Sequence, residues 1–271
     1  MATDFAVKYA AQVDERFTLA SLTECAVNQE YDFVGVKTVR VYHVATADMN
    51  DYASAGLSRY GTPVELQASV QELTVERDRS FTFTIDKRGA LDTMGALAAG
   101  RALARQIDEK VIPEVDRYRL GVMAASAGKT ETGALTDSTA YPAFLDATLY
   151  LAEKNVPPEQ RVAFVSPAFY KAIKLDAGFV RSGDIAQELL VRGQVGMIDG
   201  VSVVLTPASY LPDGVQFLVT HPSVTVGAQK LAEYKVHDNP PGLNGWLVEG
   251  RVCYDAFVLG SRADGIYVHT L

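Results

Sequence analysis

The sequence has few cysteines, no long hydrophobic run and fewer basic than acidic residues. Its two cysteines, Cys25 and Cys253, are too few for a disulfide framework or a zinc site, so reduced thiols are expected. The longest apolar runs are well short of the roughly 20 residues that a bilayer span requires, so no membrane partner is expected. The N-terminus carries acidic residues and no compact apolar segment, which predicts a soluble protein made in a cytoplasm.

The shortage of positive charge limits what the protein can bind. With 25 Lys and Arg against 33 Asp and Glu, the formal net charge is −8, and the pI is near 5.1. Such a chain is not expected to wrap nucleic acid, because phosphate neutralisation needs a basic face. The acidity fits a wall that surrounds nucleic acid without gripping it, and it fits a cytosolic enzyme equally well.

Signatures of catalysis and cofactor binding are missing as well. The segment Gly128-Lys129-Thr130 resembles part of a phosphate-binding loop, but Met123 stands where that loop needs a glycine. No nucleophile elbow or dinucleotide glycine pattern occurs. We therefore predict no catalytic, cofactor or metal site, while a catalytic pair assembled only by the fold stays open. The histidines lack ligand spacing and are interpreted as structural residues: His43, His221, His237 and His269.

The chain does have enough apolar content for a real core. It contains 271 residues, 48% of them hydrophobic, which suffices for one or two domains. Near the N-terminus Phe5, Tyr9, Val13 and Phe17 recur at near-helical spacing. Because no partner helix follows, this face predicts an arm that docks elsewhere. A helix packed on its own domain is the open alternative.

A long β segment follows the arm. Residues 32–45 are rich in Val and Tyr, residues 46–63 carry turn signals, and residues 64–86 alternate like a strand. In the last segment the apolar residues switch from even to odd positions near Gln71 and Glu72, which predicts a bulge or strong twist. Fully extended, it would span on the order of 65 Å. An isolated ribbon is marginal in water, so we expect it to lie on another subunit; two ordinary strands of a home sheet are the alternative.

Residues 89–125 read as one helix roughly 50 Å long, with Asp92 or Thr93 as a candidate N-cap. Its apolar stripe continues past Pro113, so this proline is expected to bend the helix rather than break it. Two separate helices are the alternative. The stripe comprises Leu103, Ile107, Val111, Val115, Tyr118 and Val122, with Asp116 and Arg119 largely off it.

The pattern changes after a small, polar linker at residues 126–139, where we expect a subdomain boundary. From there α and β elements alternate. The predicted elements are a helix at 141–155, a strand at 161–166, a helix with Ser166 as cap and Pro167 in its first turn, a helix at 184–193, a hairpin turning at Asp199-Gly200, and a turn and strand at 211–222.

The last stretch returns to β structure around the proline- and glycine-rich loop 238–245, and it ends in the short apolar strand "GIYVHTL". The strand after the loop shows a clear alternation, which predicts two faces of different composition. One face carries Trp246, Val248, Val252, Tyr254, Ala256 and Val258, and the other carries Glu249, Arg251, Cys253 and Asp255.

The order of these elements resembles the major capsid proteins of tailed bacteriophages, which share the Hong Kong-type capsid fold. The resemblance covers nearly the whole chain. It rests on the order of the elements and on the local residue patterns of "EKVIPEVDRY", "GQVGMIDGVSVVLTP" and "GWLVEGRVCYDAFVLGSRADGIYVH". It implies an α+β fold with an N-arm, an extended β-hairpin loop, a long spine helix in a peripheral domain and an inserted α/β axial domain. It also implies pentamers and hexamers that form an icosahedral head shell around double-stranded DNA.

The resemblance further implies domain boundaries and the places where they meet neighbours in a shell. The axial domain would gather around five-fold and six-fold axes, and the Pro/Gly loop would sit where capsomers meet near three-fold axes. The implied ranges are 1–32 for the N-terminal arm, 33–135 for the first part of the peripheral domain, about 44–85 for the extended loop, about 91–124 for the spine helix, 136–227 for the axial domain and 228–271 for the return strands and C-terminal strand.

The residues implied to contact neighbours lie in two loops. The expected partners are copies of the chain, portal and scaffold proteins and a decoration protein, in a virion capsid assembled in the bacterial host cytoplasm, with no cofactor. The implied residues are Leu57, Arg59, Tyr60, Glu76, Arg77, Asp78 and Arg79 in the extended loop, Asp238, Asn239, Pro240, Pro241 and Asn244 in the Pro/Gly loop, and Pro113 at the bend of the spine helix.

Two departures from the family shape the expectation. Some members carry an N-terminal scaffolding domain; this sequence begins almost directly at the arm, so that domain is expected to be cleaved off, removed beforehand or replaced by a separate scaffold protein. Other members cross-link subunits covalently through an isopeptide bond between a lysine of the extended loop and an asparagine of a neighbouring subunit. Residues 44–85 contain no lysine, although Asn239 and Asn244 remain, so a non-covalent shell is expected.

Two other functions stay open at this stage. An encapsulin, a cellular compartment with the same fold that stores an enzyme, fits the acidic charge equally well. The long β arm and the lack of an obvious inward-facing cargo-binding helix favour the viral shell. A cytosolic α/β enzyme with a site made only by the fold is the third hypothesis.

Overall fold

The computed structural model describes residues 21–31, 33, 38–92, 98–176 and 194–271. The apolar face predicted for the N-arm, the first turn of the long helix at 93–97 and the helix predicted at 184–193 lie outside these residues. The described strands are β1 (Thr38–Val44), β2 (Ala68–Thr74), β3 (Arg77–Asp86), β4 (Lys129–Thr132), β5 (Val162–Val165), β6 (Gln194–Ile198), β7 (Val201–Leu205), β8 (Val215–Thr220), β9 (Thr225–Asp238), β10 (Gly245–Val258) and β11 (Ile266–Thr270); the α-helices are α1 (Lys87–Asp92), α2 (Ala99–Gln106), α3 (Ile112–Ala125), α4 (Ala140–Glu153) and α5 (Pro167–Leu175).

The described strands form three sheets, so the protein is a mixed α+β chain. β1 and β2 make a two-stranded ribbon, β3, β10 and β9 make a three-stranded antiparallel sheet, and the remaining strands make a six-stranded sheet in the order β4-β11-β8-β5-β7-β6. In the six-stranded sheet β4 runs parallel to β11 and β5 parallel to β7, whereas the other pairs are antiparallel. The C-terminal strand β11 therefore lies inside this sheet, between the edge strand β4 and β8.

One long helical segment connects the two larger sheets. Its first part, α2, packs Ala99, Ala102 and Leu103 against the three-stranded sheet. Its last part, α3, packs Leu120 and Met123 against the six-stranded sheet. Because both contacts belong to one continuous helical backbone, the segment works as a strut that sets the spacing of the sheets. We call Ala99–Ala125 the spine helix.

A π-helical turn at Ile107–Val111 joins α2 to α3 immediately before Pro113. The N–H of Ile112 donates to the carbonyl of Ile107, five residues back, so the backbone stays helical through the proline instead of separating into two helices. The wider turn also shifts the helical phase. The predicted stripe is consequently wrong beyond this point, since the buried residues of α3 are Pro113, Asp116, Arg119, Leu120 and Met123.

The six-stranded sheet carries the main core on both faces. One face packs α4 and α5 through the aromatic rings of Phe144, Phe169 and Phe217. The other face packs α3 and the segment that begins at Leu22. All four residues of β5 are buried, as expected for a strand covered on both sides.

Several local predictions for this region are confirmed. The Ser166 side chain accepts a hydrogen bond from the Phe169 N–H at 3.2 Å, so it caps α5, and Pro167 occupies the first turn. Asp199 and Gly200 both have positive φ, as the tight hairpin between β6 and β7 requires. The helix predicted at 141–155 is α4.

Other local predictions are wrong. The linker predicted at 126–139 contains β4, which pairs in parallel with β11. The predicted irregularity near Gln71 and Glu72 also lies elsewhere, because β2 pairs regularly with β1 through both residues. The break occurs at Val75 and Glu76, where the chain leaves the ribbon and enters the three-stranded sheet. The change of phase in the apolar pattern thus marks a change of sheet.

A glycine pair provides a test of packing in the three-stranded sheet. A Cβ at Gly250 would lie 2.4 Å from the Phe81 ring and 2.9 Å from the Tyr234 ring. Gly250→Ala is therefore expected to lower the free energy of unfolding by about 1–3 kcal/mol. Gly121 in α3 has no neighbouring atom within 4 Å of such a Cβ, so Gly121→Ala should raise it by up to about 1 kcal/mol. Urea unfolding of the two purified variants and the wild-type chain measures both changes in the free energy of unfolding. Equal changes in the two variants would contradict the close packing at Gly250.

Candidate assembly interfaces

Among the described residues, the contacts that hold the ribbon to the body lie near its base. It pairs β1 with β2 from Thr38 opposite Thr74 to Val44 opposite Ala68. Near its base Leu73 is fully buried in a cluster with Phe33, while Gln71 donates to the Val258 carbonyl at 3.0 Å. The loop that closes the ribbon, residues 45–67, is exposed at every position except the half-buried Gly61.

Large apolar side chains concentrate on the projecting part. Their exposed fractions range from 48% at Val70 to 99% at Leu57. Exposed apolar side chains at this density indicate a candidate interaction site. Within the described residues no other element covers this surface. The exposed residues are Tyr42, Val44, Met49, Tyr52, Leu57, Tyr60, Val64, Leu66 and Val70.

Three of the predicted interface residues lie together at the ribbon tip. Leu57 is 99% and Tyr60 85% exposed. Tyr60 packs edge-on against Tyr52 with the ring centroids 5.1 Å apart. The Arg59 Nε donates to the Gly56 carbonyl at 3.2 Å. The tip is therefore internally ordered while its apolar groups point into solvent.

The other four residues predicted in the extended loop lie at the opposite end of the ribbon. Glu76 is at the junction, and the next three begin β3. Arg79 pairs with Glu114 of the spine helix at 2.7 Å, and Arg251 pairs with Asp78, Nε to Oδ1, at 2.9 Å. The hydrogen bonds from Arg251 lower the pKa of Asp78 to about 2. The structure therefore does not bring this group together with the tip.

A buried acid holds the junction in place. Asp255, predicted on the same strand face as Glu249 and Arg251, is only 5% exposed. Its carboxylate accepts hydrogen bonds from the Glu76 N–H at 3.0 Å and from the Tyr118 hydroxyl at 2.6 Å. Burial, aided by the Asp255 charge, raises the pKa of Tyr118 to about 12, and the Arg77 guanidinium lies 3.9 Å from its ring centroid. Asp255 thereby ties the root of the ribbon to the spine helix.

The Pro/Gly loop lies at the far end of the three-stranded sheet. Gly245 pairs with Asp86 at the end of β3, whereas the junction lies at its start. The loop turns through positive φ at Asn239 and Gly242. The Lys87 Nζ donates to the Asn239 Oδ1 at 2.7 Å, within one chain. The predicted residues Asp238, Asn239, Pro241 and Asn244 are exposed and Pro240 is half-buried.

The buried acid Asp116 on the spine helix was missed by sequence reasoning. Its carboxylate accepts hydrogen bonds from the Ser21 hydroxyl at 2.9 Å, the Leu22 N–H at 2.9 Å and the Thr23 hydroxyl at 2.6 Å. Arg119 also donates to the Thr23 hydroxyl oxygen at 3.2 Å, and burial lowers the pKa of Arg119. This cluster fixes where the N-terminal segment joins the body. No local pattern could reveal it, because the partners are 93 to 95 residues apart in sequence.

The described residues contain no group of three His, Cys, Asp or Glu side chains that could hold a metal ion. The described histidines have ordinary surroundings: His237 pairs with Glu249 at 3.1 Å, and His269 stacks on Phe217 with the ring centroids 5.3 Å apart. Burial lowers the pKa values of His221 and His269. No helix in the described ranges is long and apolar enough to cross a membrane.

Comparison with known proteins identifies the architecture. A sequence profile described as phage capsid protein matches residues 69–269, well over half of the chain. The chain belongs to the phage capsid protein family. A search of curated protein sequences found no match.

Solved structures agree with this assignment. A structure from Mycobacterium phage Che8 matches with a TM-score of 0.73 at 18% identity, covering 99% of this chain and 98% of that one. The capsid of the Cyanophage P-SCSP1u matches with a TM-score of 0.73 at 11% identity, covering 98% and 92%. The capsid of Ralstonia phage GP4 matches with a TM-score of 0.65 at 10% identity, covering 96% and 93%. The TM-scores and coverage show a shared fold.

The family assignment explains the uncovered ribbon. This capsid protein is a structural, major capsid component of the virion, and it self-assembles into the shell. In a shell, the apolar surface that one subunit leaves open is available to the next. The resemblance drawn from element order is thereby confirmed.

Proposed function

We propose that this capsid protein assembles into pentamers and hexamers that close into the icosahedral head shell of a tailed phage, around its double-stranded DNA. The observation that carries the proposal is the apolar ribbon, whose side chains from Tyr42 to Val70 stay 48–99% exposed on the single chain. A two-stranded ribbon is marginal in water by itself. Packing it on a neighbouring subunit buries the surface and stabilises the shell.

The domain organisation that supports this proposal has four parts. The arm would be residues 1–32, of which Ser21, Leu22 and Thr23 contact Asp116; the peripheral part, 33–135, would include the extended loop at about 44–85 and the spine helix. The axial part, 136–227, contains α4, α5 and β5 to β8, and it would gather around the five-fold and six-fold axes. Residues 228–271 return to the peripheral part, with β11 inserted into the six-stranded sheet.

The remaining predicted interface residues fit contacts between capsomers. The Pro/Gly loop 238–245 is exposed and is braced by a hydrogen bond from the Lys87 N–H to the Asn244 carbonyl at 3.0 Å. Such a braced, exposed turn can meet other capsomers near three-fold axes without losing its shape. We propose a non-covalent shell: Lys87 and Asn239 touch within the same chain, so their contact joins no subunits, and residues 44–85 contain no lysine.

The net negative charge of the chain supports a shell that encloses nucleic acid rather than a protein that binds it tightly. At a net charge of −8, the shell would enclose DNA without sequence-specific contacts. Portal, scaffold and decoration proteins are the proposed partners, and the bacterial host cytoplasm is the proposed place of assembly. The role is structural, without a catalytic step or a cofactor. An encapsulin or a cytosolic enzyme is not favoured, because the matching family is that of phage capsids.

Electron microscopy of the purified full-length chain tests the proposal. We expect closed particles of uniform diameter with pentameric and hexameric clusters on their surface, either from the chain alone or after addition of a scaffold protein. Intact mass under denaturing conditions should show single chains, as a non-covalent shell requires. A chain that stays monomeric under both assembly conditions would contradict the proposed function, and a covalent ladder would contradict the non-covalent shell.

A further inference from the structure

The three-stranded sheet has a long open edge. Its order is β3-β10-β9, so β9 pairs with β10 on one side and, among the described strands, with none on the other. Among the described residues an isolated bridge from Asn28 to Val226 touches this outer side near its start. From Ala232 to Asp238 every residue is exposed except the half-buried Tyr234. An open edge of this kind is a template for pairing with another strand.

The sequence devices that usually block a free edge are missing from this stretch. Residues 231–238 contain neither proline nor glycine. The bulge of the strand lies before them, where the pairing with β10 skips Lys230. Lys235 is a charge on the edge, but Glu233 lies 3.3 Å from it and balances it. The stretch is therefore regular and open to a partner strand.

Hydrogen bonds at the start of β9 show which backbone groups face outwards there. The Asn28 N–H donates to the Thr225 carbonyl at 2.7 Å, and the Gly227 N–H donates to the Asn28 carbonyl at 3.0 Å. Because Asn28 lies on the outer side of β9, the backbone groups of these odd-numbered residues point away from β10. Along an antiparallel strand, residues alternate between pointing towards one neighbouring strand and pointing away from it.

The bulge reverses this alternation for the rest of the strand. The register shift at Lys230 inserts one residue into β9, so the even-numbered residues face outwards beyond it. A hydrogen bond at the far end agrees, since the Asn239 N–H donates towards β10, to the Gly245 carbonyl, at 2.7 Å. The residues of the open stretch whose N–H and C=O groups point away from the sheet are therefore Ala232, Tyr234, Val236 and Asp238.

The charges of β9 select one register for pairing with a second copy. In an antiparallel pair about a two-fold axis at Tyr234, the outward backbone groups of the two copies meet. The same register places Glu233 of each copy opposite Lys235 of the other, at a position where the backbones are closest. Shifting the axis to Glu233 or to Lys235 would place like charges opposite each other, which is destabilising. The strand is thus self-complementary in one register.

The other face of β9 fits the same register. Val236 is 43% exposed on the single chain, and in this pairing it lies opposite Ala232 of the second copy, which covers part of it. The Tyr234 ring packs over the sheet, with its centroid 6.2 Å from that of Phe81 and its edge close to Gly250. Because the ring points back over its own sheet, it leaves the backbone edge clear for a partner.

The opposite edge of the sheet lacks this self-complementarity. Strand β3 also pairs only with β10 among the described strands. One of its faces carries the acids Asp78 and Asp86, and the other carries the bases Arg77 and Arg79. Antiparallel pairing brings residues of one face together, so two copies of β3 would bring like charges together on each face. The two edges therefore differ, and β9 is the one suited to pairing with itself.

Symmetry determines where such a contact belongs in a shell. A two-fold contact uses the same patch on both copies and is complete with two subunits, whereas a ring of five or six is built from head-to-tail contacts. Pairing of β9 with itself therefore cannot close a pentamer or a hexamer. It can join a subunit of one capsomer to a subunit of the next.

We propose that the β9 edges of two subunits from neighbouring capsomers pair antiparallel about a two-fold axis at Tyr234, with Glu233 of each copy opposite Lys235 of the other. This inference rests on the proposed function and identifies a contact between capsomers. The pairing joins the two three-stranded sheets into one continuous sheet across the capsomer boundary. The Pro/Gly loop follows β9 directly and so lies at the end of this contact.

Charge reversal in separate copies tests the contact. Glu233→Lys places lysines opposite lysines at every two-fold pair, and Lys235→Glu places acids opposite acids. Each variant alone should therefore form capsomers but no closed shells. When the two variants are co-expressed, a copy of one meets a copy of the other with unlike charges at both positions, so shells of wild-type diameter should return. Electron microscopy and sedimentation measure the recovery.

The mixture separates the proposed contact from an effect inside one chain. The ion pair between Glu233 and Lys235 of a single chain is broken in both variants and stays broken in the mixture, so its loss cannot explain a recovery. The matched control is Lys154→Glu, which reverses a lysine of another exposed ion pair, with Asp264 at 3.0 Å. This variant should form shells by itself.

The outcomes also distinguish this inference from the proposed function. Shells from the mixture, and from neither β9 variant alone, support the contact. Shells from either variant alone, no shells from the mixture, or a control that fails in the same way overturn it. A wild-type chain that forms no particles contradicts the proposed function instead.

A reconstruction of wild-type particles decides the question if a variant chain fails to fold, as measured by circular dichroism. A Tyr234 Cα about 5.5 Å from the Tyr234 Cα of a subunit in the neighbouring capsomer supports the contact. A β9 edge that is unpaired, or paired with β3 of another copy, overturns it.

Discussion

Replacing residues 45–67 with an Asn-Gly turn is expected to abolish shell formation while leaving the subunit folded. The last ribbon pair is Val44 opposite Ala68, and Asn-Gly closes such a pair as a two-residue hairpin. The removed loop contacts none of the buried clusters, so the unfolding free energy should change by less than about 1 kcal/mol. The loop carries most of the exposed apolar side chains of the ribbon, which the proposed function places on neighbouring subunits, so assembly should be lost. Electron microscopy and sedimentation of the purified variant measure both effects.

The control for this prediction keeps the loop and changes its chemistry. A variant with Asp48→Asn retains the apolar display and should still form shells, with at most a shift in the salt dependence of assembly. Shells of normal diameter from the shortened chain would show that the loop is dispensable. A large drop in the stability of the shortened subunit would show that the loop supports the fold of its own chain.

Asp116→Ala is expected to lower the free energy of unfolding by about 3–5 kcal/mol, the scale for removing one member of a buried charged cluster. Asp116 is fully buried and Arg119 is 6% exposed. Without the carboxylate, the Leu22 N–H and the Thr23 hydroxyl lose their acceptor, and the Arg119 guanidinium stays buried without the nearby negative charge. Urea unfolding of the purified variant and wild-type chains measures the difference.

Two further variants show whether the effect belongs to the buried acceptor. Asp108→Ala removes an exposed acid from the same helical segment and should change the unfolding free energy by no more than about 0.5 kcal/mol. Asp116→Asn keeps the volume but replaces one acceptor oxygen with a donor, so most of the loss should remain. An Asp116→Asn chain as stable as wild type would show that the cluster contributes little.

Sequence patterns predicted the elements whose causes are local. The helix α5 begins where Ser166 and Pro167 predict it, because a cap acts on backbone groups only three residues away. The hairpin at Asp199 and Gly200 depends on two residues that tolerate positive φ. The ribbon was predicted for a similar reason, since its alternating apolar residues are read directly from the chain.

The same patterns failed where the partner is distant. The short strand β4 exists because β11, more than a hundred residues later, offers it an edge. The break at Val75 and Glu76 was placed too early, because the point where a chain changes sheets depends on which strands pair. The apolar stripe predicted for the spine helix does not match the buried residues beyond the π-helical turn. A prediction with a fixed helical period cannot include the extra residue of that turn.

By itself, the sequence determined the order and type of most elements, the acidic charge, and the presence of a β segment with many apolar residues, although the second half of that segment, β3, pairs within a sheet of the same chain. Those properties follow from residue types and from spacings within one or two turns or strands. Only the tertiary structure decided that Asp116 and Asp255 are buried acceptors and that the spine helix joins both larger sheets. Each of these features depends on groups that meet only after the chain has folded. A charged residue that local spacing would place in solvent can therefore be buried in the folded protein.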